Sequence, residues 1–288
     1  MPVLAMNNSI CQAELIKFLD LLNLRSKFKD LNQVSGNVIL SAKEFGIHRM
    51  SFEQKQRALI TGASSGIGKA TALAFAKAGV DVALVSRSVD KLAAVAEAVQ
   101  HTGVNAKAYS VDLACVDQVQ EQIQAIAHDF GDIDILVNNA GMGYVASLSQ
   151  TSLSDWQRVL DLNLTSVFQC IMGILPGMRD RQTGTIINVV SIAGKQAFPN
   201  WGAYCASKAG LLALSQTLAQ EERPNGIRVT AVCPGAVNTE LWDTVGADFD
   251  RSKMLSPEIV AQSIVYTALL PQQAVIDELT LMPSVGVL

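Results

Sequence analysis

Histidine is scarce in this chain, and its cysteines do not pair. Only three of the 288 residues are histidine, and none of them stands at metal-ligand spacing from another histidine or from a cysteine. The five cysteines are odd in number, widely scattered and without a Cys-x-x-Cys pair. The sequence therefore predicts no metal site. It favours free thiols in a reducing, cytoplasmic compartment over a disulfide framework.

An excess of positive charge and long apolar runs are also missing. Lys+Arg 22 against Asp+Glu 26 gives a formal net charge of −4, which lacks the basic footprint of a nucleic-acid binder. The mean hydropathy is +0.27, yet no stretch approaches the roughly 18 uninterrupted apolar residues that a membrane-spanning helix needs. With 49% hydrophobic residues, the chain has enough apolar content to bury a sizeable core, so wholesale disorder is excluded.

The N-terminal segment, residues 1–52, differs from the rest. Residues 1–49 carry six basic and four acidic side chains, and the apolar residues of 13–24 recur at helical intervals. The acidic residues disfavour a transit peptide, and the lack of a basic segment before this helix disfavours a secretory signal. Two interpretations stay open. Residues 1–52 form a loosely attached extension, or Met50 is the true start of the protein.

From residue 53 onward, short β-branched runs alternate with segments of helical period. The runs are mostly continuous apolar stretches, typical of parallel strands that are buried on both faces: 58–61, 82–85, 108–111, 133–137, 185–190 and 228–233. A turn with Gly, Asn or Ser follows each run. This alternation predicts an α/β doubly wound Rossmann fold, with a parallel sheet of about seven strands and helices on both faces. We expect residues 53–288 to form this single domain.

A glycine-rich turn follows the first predicted strand. It reads Thr61-Gly62-Ala-Ser64-Ser65-Gly66-Ile67-Gly68 and leads directly into a helical pattern. Glycines at this spacing allow a tight turn, a close approach of the backbone to a pyrophosphate and close helix packing, while the helix N-terminus supplies aligned N–H groups. Because the turn lies between a strand and a helix, it predicts a dinucleotide site.

The end of the second predicted strand indicates which dinucleotide binds. The run Leu84-Val-Ser-Arg87-Ser88 contains no acidic residue to hold a free ribose 2′-hydroxyl. Arg87 instead offers a planar guanidinium suited to a 2′-phosphate. The sequence therefore predicts NADP(H) as the cofactor, with a solvated loop role for Arg87 as the alternative.

A tyrosine and a lysine lie four residues apart at the start of a long predicted helix. Tyr204 and Lys208 therefore share one helix face. A nearby ammonium favours the phenolate and lowers the tyrosine pKa from its usual value of about 10. Ser191 ends a predicted strand 13 positions before Tyr204, and 138–141 (Asn-Asn-Ala-Gly) follows another. Since ligands of open α/β sheets bind at the carboxyl ends of the strands, we expect these groups to meet there.

Jointly, these motifs resemble the short-chain dehydrogenase/reductase family, in its common branch. The similarity runs from Gln56 to about Pro234 and rests on the order and spacing of Thr61-Gly62-x-x-x-Gly66-x-Gly68, Asn138-Asn139-Ala140-Gly141, Ser191, Tyr204, Lys208 and Pro234-Gly235. The resemblance implies that Tyr204 is the general acid for carbonyl reduction and the base for the reverse reaction. It implies that Lys208 lowers the pKa of Tyr204 and holds the nicotinamide ribose, and that Ser191 orients the substrate carbonyl.

The resemblance also implies a fourth catalytic residue and further cofactor contacts. Asn163 holds a water that links Lys208 to solvent, Asn139 supports the central sheet, and Thr239 meets the nicotinamide amide. Capping or bridging of helices by Asn163 and capping of a helix by Thr239 are the alternatives. The full predicted cofactor set is Thr61, Gly62, Ser64, Ser65, Gly66, Ile67, Gly68, Arg87, Asp112, Leu113, Asn139, Ala140, Gly141, Tyr204, Lys208, Pro234, Gly235, Val237 and Thr239.

The segments expected to form the substrate pocket are mainly apolar or aromatic. They are 142–144, 192–193, Phe198, Trp201 and 241–254, and they favour a hydrophobic aldehyde or ketone over a small acid. Gly246 allows 241–250 to act as a mobile lid. The helix 204–221 is apolar on several faces, which predicts a homodimer or a homotetramer.

The leading functional hypothesis is an NADP(H)-dependent carbonyl reductase or alcohol dehydrogenase. Reduction of 3-oxoacyl-carrier protein is an alternative, although the C-terminal segment 276–283 lacks the Gly-Gly that such reductases often carry. A regulatory NADP-binding protein without turnover is another alternative, and the complete set of catalytic residues disfavours it. Epimerisation of a sugar nucleotide uses the same tyrosine and lysine, but usually a longer chain and another glycine spacing.

Overall fold

The computed structural model describes residues 55–245 and 250–287 of the chain. The predicted extension, residues 1–52, lies outside the described residues, as does the centre of the predicted lid, residues 246–249. The assignment of 53–288 to one domain therefore stays a prediction.

Within the described residues, seven parallel strands form one sheet. They are β1 (Arg57–Thr61), β2 (Asp81–Ser86), β3 (Ala106–Ser110), β4 (Ile135–Asn138), β5 (Gly184–Val189), β6 (Ile227–Pro234) and β7 (Glu278–Leu281). Their order across the sheet is β3-β2-β1-β4-β5-β6-β7, and all six pairings are parallel. The chain thus winds outward in one direction from β1 and then in the other from β4, which confirms the predicted doubly wound fold.

Helices cover both faces of the sheet. They are α1 (Gly66–Lys77), α2 (Val89–Gln100), α3 (Val116–Phe130), α4 (Leu153–Leu160), α5 (Ser166–Arg181), α6 (Gly202–Glu222), α7 (Leu241–Val245) and α8 (Pro257–Ala268). Alternate residues of β1 face opposite sides. Leu59 joins the core with α3, α5 and α6, whereas Ile60 joins the core with α1, α2 and α8.

The two edge strands depart from the continuous apolar pattern. Residues 107, 108 and 110 of β3 are exposed, so the prediction that this run is buried on both faces is wrong. It is an edge strand with a neighbour on one side. The other edge strand, β7, alternates exposed and half-buried residues. A search for continuous apolar runs does not detect such a strand.

One helical run is unusually long and apolar. α4, a π-helical turn at Asp161–Thr165 and α5 together span Leu153–Arg181, the one helix among the described residues that could cross a membrane by length and composition. Half of its most apolar window is buried inside the domain, where α5 packs against α3. A core helix of a soluble protein passes the same test, so this run is weak evidence for a span.

At the amino edge of the sheet, where the strands begin, charged side chains connect helix ends to one another and to the strands. The Arg228 guanidinium donates to the carbonyl oxygens of Ala268 (3.0 Å) and Leu270 (2.7 Å) at the end of α8, and to Thr185 Oγ1 (2.9 Å) in β5. Arg179, near the end of α5, contacts the fully buried carboxylate of Glu222 at the end of α6. These contacts join helix ends to one another and to the strands.

Candidate active site

Hydrogen bonds lock the carboxyl end of β1 to that of its neighbour β4. Thr61 Oγ1 accepts from the backbone N–H groups of Asn139 (3.0 Å) and Ala140 (3.1 Å). In return, Asn139 Nδ2 donates to the carbonyl oxygen of Thr61 (3.0 Å). The structure thus places Asn139 as a brace between the two central strands, at the point where the winding direction changes. Thr61 is buried behind the turn and acts through this brace.

The glycine-rich turn is packed so tightly at its glycines that a side chain there would clash or be strained. Gly62 has φ +65°, and a Cβ on Gly68 would lie 2.2 Å from the Gly62 carbonyl oxygen. Gly66 has φ +50° and lies against the Thr239 side chain. Ser65 caps α1 without a side-chain hydrogen bond, so the first N–H groups of α1 are available to an anion. The turn therefore fits a pyrophosphate.

A cleft of about 500 Å³ runs from this turn across the ends of β1, β2 and β3. It is lined by most of the predicted cofactor residues, namely Gly62, Ser64, Ser65, Gly66, Ile67, Arg87, Asp112, Leu113, Asn139, Ala140, Gly141 and Thr239. Lys91 lines it too, and sequence reasoning missed this residue. The sequence feature that could have identified Lys91 is its position as a second basic residue, four positions after Arg87.

Arg87 faces an acidic residue that the sequence did not place beside it. Arg87 Nε lies 3.9 Å from Asp112 Oδ1, which comes from the end of β3. Both side chains are exposed, so this ion pair contributes less than about 1 kcal/mol. Two further polar groups stand beside them, since Ser86 Oγ donates to Ser64 Oγ over 2.8 Å. The end of β2 therefore offers hydroxyl groups and a weakly held guanidinium.

Ser191, Tyr204 and Lys208 come together at the carboxyl ends of β5 and β6. Tyr204 forms a hydrogen bond with Ser191, whose Oγ also accepts from the N–H of Ala193 (3.1 Å). Lys208 Nζ donates to the carbonyl oxygen of Val189 over 2.9 Å and lies 5.9 Å from the centre of the Tyr204 ring. The three side chains whose convergence the sequence predicted thus line one cleft.

Burial shifts the pKa values of both members of the Tyr204–Lys208 pair. It raises the pKa of Tyr204, against the opposing effect of the Ser191 hydrogen bond, and it lowers the pKa of Lys208 to about 8. Burial, and not Lys208, sets the direction of the Tyr204 shift. The implied lowering of the tyrosine pKa by Lys208 stays a prediction. The pair therefore holds a protonated phenol near neutral pH.

Asn163 lies in the π-helical turn, fully buried. Its Oδ1 accepts from the N–H of Met142 (2.8 Å), and its Nδ2 donates to the Met142 carbonyl oxygen (2.9 Å) and to Ser207 Oγ (3.0 Å). The side chain therefore joins the loop after β4 to α6, as the bridging alternative expected. The predicted water contact stays a prediction.

A second cleft, of about 200 Å³, continues from the nucleotide cleft to Tyr204. Predicted cofactor residues line its inner part: Ile67, Asn139, Gly141, Lys208, Pro234, Gly235, Val237 and Thr239. Its outer wall consists of Ile192, Ala193, Phe198, Trp201, Trp242, Met282 and Val287, while Met142 and Leu241 line both clefts. The apolar lining agrees with the sequence prediction.

Two details of this second cleft differ from the prediction. Tyr144 lines a separate cleft with Arg87 and Arg158, and its hydroxyl points to Asp155 (3.4 Å). Sequence reasoning missed the segment after β7, which supplies Met282 and Val287. The Gly235 N–H donates to the carbonyl oxygen of Leu281 (2.7 Å) and draws that segment to the site, a contact without a signature in the sequence.

Metal and disulfide chemistry find no support in the part of the chain that the structure describes. There, no group of three His, Cys, Asp or Glu side chains is placed to hold a metal ion. The four described cysteines, Cys115, Cys170, Cys205 and Cys233, are free thiols.

Comparison with known proteins gives one consistent family. The short chain dehydrogenase family model matches residues 56–249. An uncharacterized oxidoreductase of Staphylococcus saprophyticus is 35% identical over 235 residues, which make up 78% of this chain and 95% of that protein. A 3-oxoacyl-[acyl-carrier-protein] reductase of Synechocystis sp. is 39% identical over 228 residues, 77% of this chain and 92% of that protein.

Solved structures agree with the sequence relatives. An alcohol dehydrogenase from the archaeon Thermococcus sibiricus, complexed with 5-hydroxy-NADP, superposes with a TM-score of 0.74 at 30% identity, covering 80% of this chain and 97% of that chain. A variant of the actinorhodin polyketide ketoreductase with NADPH gives a TM-score of 0.73 at 29% identity, covering 81% and 97%.

Proposed function

The chain belongs to the short-chain dehydrogenase family, and from that premise we propose that it is an NADP(H)-dependent carbonyl reductase. It reduces an apolar aldehyde or ketone to the alcohol, or catalyses the reverse reaction. The observation that carries this proposal is the junction of two clefts. The nucleotide cleft and the apolar cleft share Ile67, Asn139, Gly141, Met142, Thr239 and Leu241, and the Tyr204 and Ser191 hydroxyls lie on the apolar side.

The residues at the nucleotide cleft fit NADP(H). The uncapped N-terminus of α1 and its close-packed glycines suit the pyrophosphate. Arg87 and Lys91, together with the hydroxyls of Ser64 and Ser86, line the same cleft, and this combination suits a ribose 2′-phosphate. The solved relatives with NADPH and with 5-hydroxy-NADP support the same choice.

In this proposal the reaction divides between cofactor and protein. When bound, the reduced nicotinamide supplies the hydride that the carbonyl carbon accepts. The Tyr204 hydroxyl gives its proton to the carbonyl oxygen, and the Ser191 hydroxyl donates a hydrogen bond to that oxygen and orients it. The Lys208 ammonium, held by Val189, favours the phenolate that Tyr204 becomes. Hydride plus proton convert the carbonyl to the alcohol.

A 3-oxoacyl thioester is the second candidate substrate class. The Synechocystis relative carries that activity in its name, as does a Staphylococcus epidermidis relative that is 39% identical over 199 residues. The apolar outer wall of the cleft favours the simpler carbonyl compounds.

The same proposal places the protein in the cytoplasm as a homodimer or homotetramer, in which Phe168 of α5, 43% exposed, would be covered by the partner subunit.

The test is an assay of NADPH oxidation with the purified chain. We expect turnover with hydrophobic aldehydes and ketones, less with small keto acids, and a preference for NADPH over NADH that Arg87→Gln reduces about 10-fold or more. Glu97→Gln, on an exposed face of the same helix as Lys91, is the matched surface control. No oxidation with any carbonyl compound would overturn the proposal. Turnover restricted to 3-oxoacyl thioesters would support the second candidate.

A further inference from the structure

Three aromatic rings form a continuous stack along one wall of the apolar cleft. The ring centres of Tyr204 and Trp201 lie 5.4 Å apart with an interplanar angle of 65°. Those of Trp201 and Trp242 lie 6.0 Å apart at 67°. Both are edge-to-face contacts of the kind that aromatic rings favour. The stack therefore begins at the reacting phenol and extends outward through two indoles, Trp201 and Trp242, which we call the tryptophan pair.

Backbone hydrogen bonds fix the outer member of this pair. The Trp242 indole N–H donates to the carbonyl oxygen of Val237 over 2.8 Å. The segment around Val237 is itself held, because the Asn238 N–H donates to Leu255 and the Leu255 N–H donates to Ala236, both over 2.9 Å. Trp242 thus lies in α7, directly after Thr239, Glu240 and Leu241, which line the nucleotide cleft. Its ring position is set before a substrate arrives.

Trp201, the inner member of the pair, is also held in place by backbone contacts. Trp201 immediately precedes α6, and its carbonyl oxygen accepts from the Cys205 N–H over 2.8 Å. Its backbone also bridges to Ala146 in the loop after β4. Trp201, at the N-cap of α6, and Trp242, in α7, therefore come from distant parts of the chain and meet across the outer end of the cleft.

The wall of the cleft formed by the tryptophan pair presents mainly uncharged aromatic surface to a ligand. The indole N–H of Trp242 is already donated to the backbone, so this ring presents hydrocarbon to a ligand. Among the described residues that line this cleft, Lys208 is the one charged side chain, and its ammonium donates to Val189. Because this ammonium lies beside the Tyr204 ring, a substrate carboxylate placed at the tryptophan pair would be buried among apolar groups, which is costly.

From this geometry we infer that the tryptophan pair determines substrate specificity, and that it selects neutral carbonyl compounds whose carbonyl carbon bears a flat aromatic ring. The inference rests on the proposed reductase function and deepens it. With the carbonyl oxygen at the Ser191 and Tyr204 hydroxyls, a substituent on the carbonyl carbon extends along the stack. An aromatic ring there continues the edge-to-face series, an interaction that favours it about 2- to 10-fold over a saturated ring of the same size.

The experiment compares benzaldehyde with cyclohexanecarbaldehyde, which has a saturated ring of the same carbon number. The quantity measured is the ratio of the two kcat/KM values with NADPH, in the wild type and in variants. Because the two aldehydes differ in intrinsic reactivity, the change of this ratio between proteins is the readout. We expect Trp242→Leu to reduce the ratio about 2- to 10-fold and Trp242→Phe to retain most of it. Trp156→Leu, a tryptophan of α4 that does not line the cleft, should leave it unchanged.

An unchanged ratio in Trp242→Leu would overturn the inference. If both aldehydes also lose kcat/KM equally in Trp242→Leu and in Trp242→Phe, the role of Trp242 is merely structural. Thermal unfolding of each variant checks that it folds. If no aldehyde turns over, the proposed function fails, and the pair is tested separately by tryptophan fluorescence titration of the NADP⁺-loaded protein with benzyl alcohol and cyclohexylmethanol. Equal affinities for these two alcohols would then overturn the inference as well.

Discussion

The two edges of the same sheet are built from different chemistry. At the amino edge, ionic side chains close the structure: Arg228 binds carbonyl oxygens at the end of α8, and Arg179 contacts buried Glu222. At the carboxyl edge, mostly uncharged groups hold neighbouring segments together. Thr61 and Asn139 brace the central strands, and the glycines there leave backbone exposed to a ligand.

The two edges therefore differ in which of them has hydrogen-bonding groups available to a ligand. The ionic groups of the amino edge are already paired within the protein, so that edge contributes to stability. At the carboxyl edge the N-terminus of α1 has no side-chain cap, and the Tyr204 and Ser191 hydroxyls face a cleft. Groups at that edge become fully satisfied only with a ligand. We therefore expect substitutions at the carboxyl edge to change turnover, and substitutions at the amino edge to change stability.

Removal of one hydroxyl at the carboxyl edge should give the largest effect. Tyr204→Phe deletes the proton donor, so we expect kcat for carbonyl reduction to fall about 10²- to 10⁴-fold, with a thermal midpoint close to that of the wild type. Tyr266→Phe removes a hydroxyl from an exposed tyrosine of α8 and serves as the control. Retention of turnover in Tyr204→Phe would contradict both the proposed mechanism and the difference between the two edges of the sheet.

A substitution at the amino edge should show the opposite pattern. Arg228→Met removes donors to the carbonyl oxygens of Ala268 and Leu270 and to Thr185. We expect the free energy of unfolding in urea to fall by about 1–3 kcal/mol, while kcat per folded molecule changes less than twofold. Lys77→Met, at the exposed end of α1, is the control. A variant with full stability and low kcat would contradict the division between the edges.

The smallest effect concerns the pH dependence of stability. The hydrogen bond from Arg179 lowers the pKa of Glu222 in the folded protein, so the unfolded chain binds this proton more readily. The stabilisation is complete above the ordinary glutamate pKa of about 4.3 and is lost as the pH falls through the lower folded value. Thermal midpoints measured from neutral to acidic pH should therefore fall less steeply in Glu222→Gln. Parallel curves would show that this carboxylate does not contribute.

Sequence patterns predicted the central part of this molecule better than its margins. Continuous apolar runs identified the five inner strands because a parallel strand between two neighbours is buried on both faces. The same rule was wrong for β3 and gave no signal for β7, since both are edge strands. The site shows a similar limit. Motif spacing predicted that Ser191, Tyr204 and Lys208 converge, because strand ends and a helix start determine where these side chains lie.

What the sequence did not predict depends on contacts between distant segments. Asp112 lies beside Arg87 because β3 pairs with β2, and Met282 and Val287 reach the cleft because the segment after β7 folds back on Gly235. The pKa of Tyr204 likewise depends on burial, which spacing along the chain does not report. Such features require the three-dimensional arrangement.

The reversal of winding between β1 and β4 has an evolutionary consequence. Residues before Gly131, the C-cap of α3, supply Arg87, Lys91 and the glycine-rich turn, whereas the groups proposed to transfer the proton all come after it. A single recombination event near that position would exchange coenzyme preference between homologous genes and leave carbonyl chemistry in place. The Thr61–Asn139 brace is the interface that such a chimera would have to preserve.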